Sequence, residues 1–150
     1  MAKRTAVSQE ATAKYEADAA LAARFDDLFS QAQETEQALR DAQAKRAPDE
    51  ELHRLGMALD GALTDVMRSA FAAQRAEIGP RGYDDRIYRR KAMATSKVRA
   101  WTMEAERLLT LRESHRLTGI VRLVRPPALE HTDSLSPDGQ AAPSHRSTVA

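Results

Sequence analysis

The stretch PDEELHRLGMALDGALTDVMRSAFAAQRAEI, residues 48–78, decides the fold. Leu52, Gly56, Leu59, Leu63, Val66, Ala70 and Ala73 step along it by alternating fours and threes, the spacing that turns one side of an α-helix toward a neighbour. Leu55, Ala62, Met67 and Phe71 widen that stripe beyond a narrow seam, so the helix wants more than one partner. Its ends are marked as well. Pro48 lacks the N–H that would be orphaned in a first turn, Asp49, Glu50 and Glu51 sit at the positive end of the helix dipole, and Gly79-Pro80 is a stop.

The same rule extends to both sides. Leu21, Phe25, Leu28, Ala32, Thr35, Leu39 and Ala42 form a heptad seam before it, and Ile87, Lys91, Ala94, Val98, Trp101, Ala105 and Leu108 form one after it. Lys91 breaks the last stripe, although its long stem can lie on apolar surface. A turn at Arg81-Gly82, an N-cap at Asp84 or Asp85, and Gly119 as a left-handed cap after Arg112, His115 and Arg116 bound this segment. The reading is all-α: an elongated antiparallel helical bundle, coiled-coil-like, with about three long helices over about 8–46, 48–78 and 85–118. A joint at residues 47 and 48 is tighter than most helical hairpins, which leaves the first helix either ending near Lys45 or running on as a kinked rod.

Residues 120–125 are β-prone and stop at Pro126-Pro127, which reads as a short extended arm: a strand, or an apolar clasp over the bundle end. Residues 126–150 are rich in Pro, Ser, Ala and His without periodicity, the composition of a disordered tail.

A chain of 150 residues is one domain by length. Alanines number 28 and aromatics make up only 5%, so the core is thin and self-association or a partner is expected to support it. Absence of cysteine excludes disulfides and thiolate metal sites and suits a reducing cytosol. Residues 1–5 lack the apolar run of a signal peptide, and no stretch approaches the roughly 18 apolar residues of a membrane span, so the expectation is a cytoplasmic protein without a membrane partner. Arginine outnumbers lysine 18 to 5, which with the alanines resembles the usage of a GC-rich bacterial or phage genome.

Charge is segregated. Residues 8–79 hold 8 Lys and Arg against 14 Asp and Glu, while residues 81–125 hold 12 against 5. One reading is complementarity, with a basic third helix lying on acidic first and second helices of its own chain or of another copy. A second reading is a nucleic-acid surface, because Arg81, Arg86, Arg89, Arg90, Lys91, Lys97 and Arg99 are interleaved with Tyr83, Tyr88 and Trp101. Guanidinium groups match phosphate oxygens and aromatic faces stack on unpaired bases. On a continuous helix Arg86, Arg90 and Lys97 share a face that Arg89 and Arg99 do not, and Trp101 falls on the apolar seam.

Signals of catalysis are few. Glu50-x-x-His53 has the spacing of one half of a carboxylate-bridged metal site, but its second half is missing, and no phosphate loop, nucleophile elbow or zincin motif occurs. No catalytic residue, metal or cofactor is therefore expected. Residues 51–75, with Leu59-Asp60 and Arg68, are similar to the first helix of the small all-helical chorismate mutases, which hold a dicarboxylate with basic side chains. The arginine that family places shortly before its Ile-Asp pair is absent, since Gly56 follows Leu55, and the segment has no lysine, so no membership follows. The sequence predicts a non-enzymatic protein-interaction or assembly module of a bacterium, phage or mobile element. Its partner is itself, as a homo-oligomer, or another protein. Leu21, Phe25, Leu28, Leu39, Leu52, Leu59, Leu63, Val66, Val98, Trp101 and Leu108 are the oligomer or partner seam. The alternative is a DNA- or RNA-binding accessory protein using residues 81–99.

Overall fold

The computed structural model describes residues 6–119 and 121–124. These residues are all-helical, without a strand, in six helices: α1 (Gln9–Ala22), α2 (Phe25–Ala44), α3 (Asp49–Ile78), α4 (Arg81–Asp84), α5 (Arg86–Ala92) and α6 (Ser96–Thr118). The expected tail over 126–150 and the arm's first and last residues, Ile120 and Arg125, lie outside the described residues.

α3 is the hub, packing against α1, α2 and α6. Its 30 residues give it a length of about 45 Å. Hydrogen bonds set the direction of its neighbours. Thr102, Arg112 and Arg116 of α6 meet Gln74, Thr64 and Asp60 of α3, so α6 runs antiparallel to it. Arg75 near the end of α3 meets Asp18 of α1. The core lies where the expected spacing put it on α3: Leu59, Leu63 and Val66 are sealed against Phe25, Leu28, Phe29 and Leu39 of α2 and against Ala105 and Leu108 of α6. Trp101 meets Phe25 edge-on, with ring centroids 5.0 Å apart, in the arrangement the aromatic quadrupoles favour.

Two helices expected to be continuous are broken. The segment 8–46 divides after Ala22, where Ala23 and Arg24 keep right-handed backbone angles while the Arg24 amide shifts to the carbonyl of Leu21, a tighter turn. Phe25 begins a new helix with Asp26 and Asp27 in its first turn. The segment 85–118 divides at 93–95. Thr95 adopts an extended angle (ψ 148°), and its hydroxyl donates to the carbonyl of Ala92, which closes α5. The stripe expected at Ile87, Lys91 and Ala94 is consequently not buried. Ile87 is 70% exposed, Lys91 and Ala94 are exposed, and α5 buries no residue at all.

The α2–α3 joint resolves the question of residues 47 and 48. α2 ends at Ala44, the Arg46 amide donates to Gln43 and the Ala47 amide to Ala42, closing the last turn in a Schellman pattern. That pattern needs a left-handed residue, and Arg46 supplies it at φ 51°. Among residues 121–124 the arm is neither strand nor helix. Leu123 is buried in the core with Val121 packed partly against it, and the Leu123 carbonyl accepts from Gln33 of α2.

Candidate interaction surface

Four contacts hold the chain between α3 and α5 in place. Asp18 of α1 accepts a two-pronged pair of hydrogen bonds from Arg75 of α3 (2.8 and 3.0 Å) and a short one from the Tyr83 hydroxyl of α4. Asp84 accepts from the amide and hydroxyl of Ser8 (2.7 and 2.8 Å), joining α4 to the start of α1. Gly82 lets α4 close on α3, since a Cβ there would stand 2.4 Å from Cγ2 of Ile78. Asp85 caps α5 by accepting from the amides of Ile87 and Tyr88 (3.0 and 2.9 Å).

These contacts shift proton affinities. Burial works against the Asp18 carboxylate, but the bonds from Arg75 and Tyr83 outweigh it and hold its pKa below the ordinary value. Burial, followed by the bond to Asp18, pushes the Tyr83 hydroxyl far above the usual phenol range. Asp84 is held low by the Ser8 amide and hydroxyl, and Asp85 by the amide of Tyr88.

On this support α5 presents its basic side chains. Arg86, Arg89 and Arg90 line one open groove of about 710 Å³ between α5 and the end of α3, with Ile78, Ile87 and Met93 as its apolar part and Gln74 and Arg75 completing it. Arg86, Arg89, Arg90, Lys91, Lys97 and Arg99 are all exposed, and none is ion-paired among the described residues. Arg81 differs, pairing with Asp85 at 3.3 Å and lying 4.6 Å over the ring of Tyr88.

The expected grouping of cations changes accordingly. Arg89 joins Arg86 and Arg90 in the groove, whereas Lys97 sits on α6 beyond the break and does not line it. The turn at 93–95 resets the helical phase, so angles counted through it do not hold. The three aromatics are also committed elsewhere: Tyr83 to Asp18, Tyr88 beneath Arg81, and Trp101 against Phe25. Of the acidic helices, the basic segment's own chain uses little, for the one ion pair between residues 81–119 and residues 8–79 among those described is Arg116–Asp60.

The residues expected as a seam are placed inside a single copy. Phe25, Leu28, Leu39, Leu59, Leu63, Val66, Val98 and Leu108 are buried, and Leu21, Leu52 and Trp101 are half-buried against the core. Glu50 and His53 are exposed at the start of α3, and no three His, Cys, Asp or Glu side chains gather as a metal site among the described residues. No described helix is long and apolar enough to cross a membrane. Sequence reasoning missed Ser8, Asp18 and Arg75. Ser8 was readable as an N-cap, since its hydroxyl accepts from the Ala11 amide, but nothing local links Asp18 to a partner 57 residues away.

No family model, curated protein or solved structure matches this chain.

Proposed function

We propose that the chain is a non-enzymatic helical interaction or assembly module, cytoplasmic and of bacterial, phage or mobile-element origin. We read its arrangement as an elongated, antiparallel, coiled-coil-like bundle, in which α1 with α2 and α5 with α6 act as broken rods on either side of α3. Its contact surface is the α5 groove, while the heptad seams hold one copy together. The observation that carries this reading is α5 itself: seven residues of which none is buried, with Ile87 70% exposed and with Arg86, Arg89 and Arg90 in no ion pair among the described residues. Mixed apolar and cationic lining of this kind suits a protein surface with carboxylates. Sedimentation velocity over a concentration series tests the reading. Concentration-dependent association is expected, and a folded chain that stays monomeric into the micromolar range argues against it.

A second reading, DNA or RNA binding, is favoured by one observation: residues 86–99 hold six exposed cations, none ion-paired among the described residues, and no carboxylate. Since the tyrosines and Trp101 are engaged within the chain, such binding would rest on phosphate contacts and be strongly salt-dependent. Fluorescence anisotropy of labelled single- and double-stranded DNA and RNA at about 50 and 200 mM salt separates the two. Submicromolar, salt-sensitive binding reverses their order.

A further inference from the structure

We infer that the α5 groove recognises an acidic peptide segment of a partner protein, one that sets an apolar side chain beside two carboxylates. The inference rests on the reading above that this groove is the chain's contact surface, and it names the chemistry of what that surface takes. Among the described residues the groove is lined by four guanidinium groups, three apolar side chains and Gln74, and by no carboxylate. Arg75 already gives Nε and Nη2 to Asp18, and the Gln74 amide nitrogen donates to the Thr102 hydroxyl (2.6 Å). That leaves Arg86, Arg89 and Arg90, exposed and in no ion pair among the described residues. Arg86 and Arg90 are like charges at i and i+4, an unfavourable pair that an anion between them relieves.

Two features select a carboxylate-bearing peptide over a nucleic-acid strand. Ile87, 70% exposed, stands among the cations, and Ile78 and Met93 continue the apolar lining. A phosphate backbone has no use for that surface, whereas a peptide buries an apolar side chain there and offers carboxylates to the arginines around it. No aromatic face among the described residues lines the groove for a base to stack on, since Tyr88 lies beneath Arg81 and Trp101 against Phe25. The kind of cation agrees. Lys91 and Lys97 do not line the groove, and each cation that does is a guanidinium, whose planar fork takes a carboxylate by two parallel bonds. Spacing then sets the motif. Arg86 and Arg90 lie about 6 Å apart along the axis, and carboxylates at i and i+4 of a helix, or at i and i+2 of an extended chain, match that at about 6–7 Å.

Fluorescence anisotropy of two short labelled peptides against the full chain tests this. One is helix-forming with glutamates at i and i+4 beside a leucine, and the other is extended with aspartates at i and i+2 beside a leucine. At about 50 mM salt the chain should bind at least one of them, and replacing either its acids by amides or its leucine by serine should weaken binding about tenfold. On the protein side, R86K/R90K keeps the charge but removes the forks, and Ile87→Ser removes the apolar contact alone. Each should also weaken binding about tenfold while keeping the wild-type melt, because the altered side chains are exposed. Binding of neither peptide overturns the inference, and so does binding to which both variants are indifferent, since charge attraction alone would then explain it. Single-stranded DNA bound more tightly than either peptide, and lost in R86E/R89E/R90E, gives the groove to nucleic acid instead. If neither peptide binds but wild type self-associates and R86E/R89E/R90E does not, a second copy is the occupant and the contact-surface reading stands. If neither peptide binds and the chain is monomeric at about 100 μM, both fail.

Discussion

α3 and α5 were drawn with the same pattern and came to opposite ends. In α3 the apolar stripe is sealed: Leu59, Leu63 and Val66 are at most 1% exposed, and helices pack on several sides. In α5 the stripe continues by sequence, yet Ile87 stands in solvent and the seven-residue helix contributes nothing to the core. The difference lies in what each can reach. A 30-residue helix offers enough apolar length to recruit partners, whereas α5 is capped by Asp85 at one end and stopped by Thr95 at the other before its stripe can join that of α6. Periodicity states which face a helix would bury, and only neighbouring chain decides whether it does.

The contrast can be broken most severely at Leu63. Leu63→Asp forces an unpaired carboxylate into a fully buried site and should cost about 4 kcal/mol or more, seen as a collapsed thermal melt. An unchanged melt would mean that α3 does not present this face to the core. Asp18→Asn comes next, at about 1–2 kcal/mol, because it removes the charge that Arg75 and Tyr83 share while the buried face of α3 is untouched. The pH dependence follows from the same group. Since folding lowers the Asp18 pKa, its contribution is present above the unfolded value of about 3.9 and is lost as pH falls through the folded one, so wild type should lose stability on acidification more steeply than Asp18→Asn. Parallel acid limbs in the two proteins would show that the Asp18 contact adds no stability.

Arg46→Gly should act in the other direction. Relief of left-handed strain at φ 51° exceeds the added freedom of the unfolded chain, for a gain of about 0.5–1 kcal/mol in denaturant unfolding. A loss would mean that the Arg46 side chain supports the joint. Smallest of all is Ile87→Asp, expected within about 0.5 kcal/mol of wild type by chemical denaturation, because an exposed residue on a helix without core contacts has little to lose. A large drop there would place α5 in the core and remove the contrast.

Much of this fold was legible in the sequence, for reasons that particular residues show. Fours and threes from Leu52 to Ala73 located α3, Gly119 closes α6 at φ 67°, and Asp85 caps α5 as turn chemistry predicts. The breaks were less legible. Ala23 and Arg24 are ordinary helix formers, so their turn has no local warning, while Thr95-Ser96 did carry an N-cap signal that the heptad count overrode. For the candidate surface, the cations were visible but their grouping was not, because Arg89 enters the groove only through where α5 sits. That position depends on Asp18, Arg75, Tyr83, Ser8 and Asp84, pairs separated by 57 to 76 residues that no spacing encodes.

The attachment of α1 carries a further consequence for how the molecule comes apart. α1 buries a single residue, Ala11, sets Leu21 partly against the core, and is otherwise tied down by Asp18 and by its N-cap Ser8. Its amides should therefore exchange with solvent well before those of α3, in a local opening that leaves the central core shut. Tyr83 and Asp84 lose their anchors in that same opening, and with them the footing of α5. The proposed contact surface is thus governed by its own, smaller unfolding equilibrium, one that can dissolve the seat of α5 while most of the molecule is still folded.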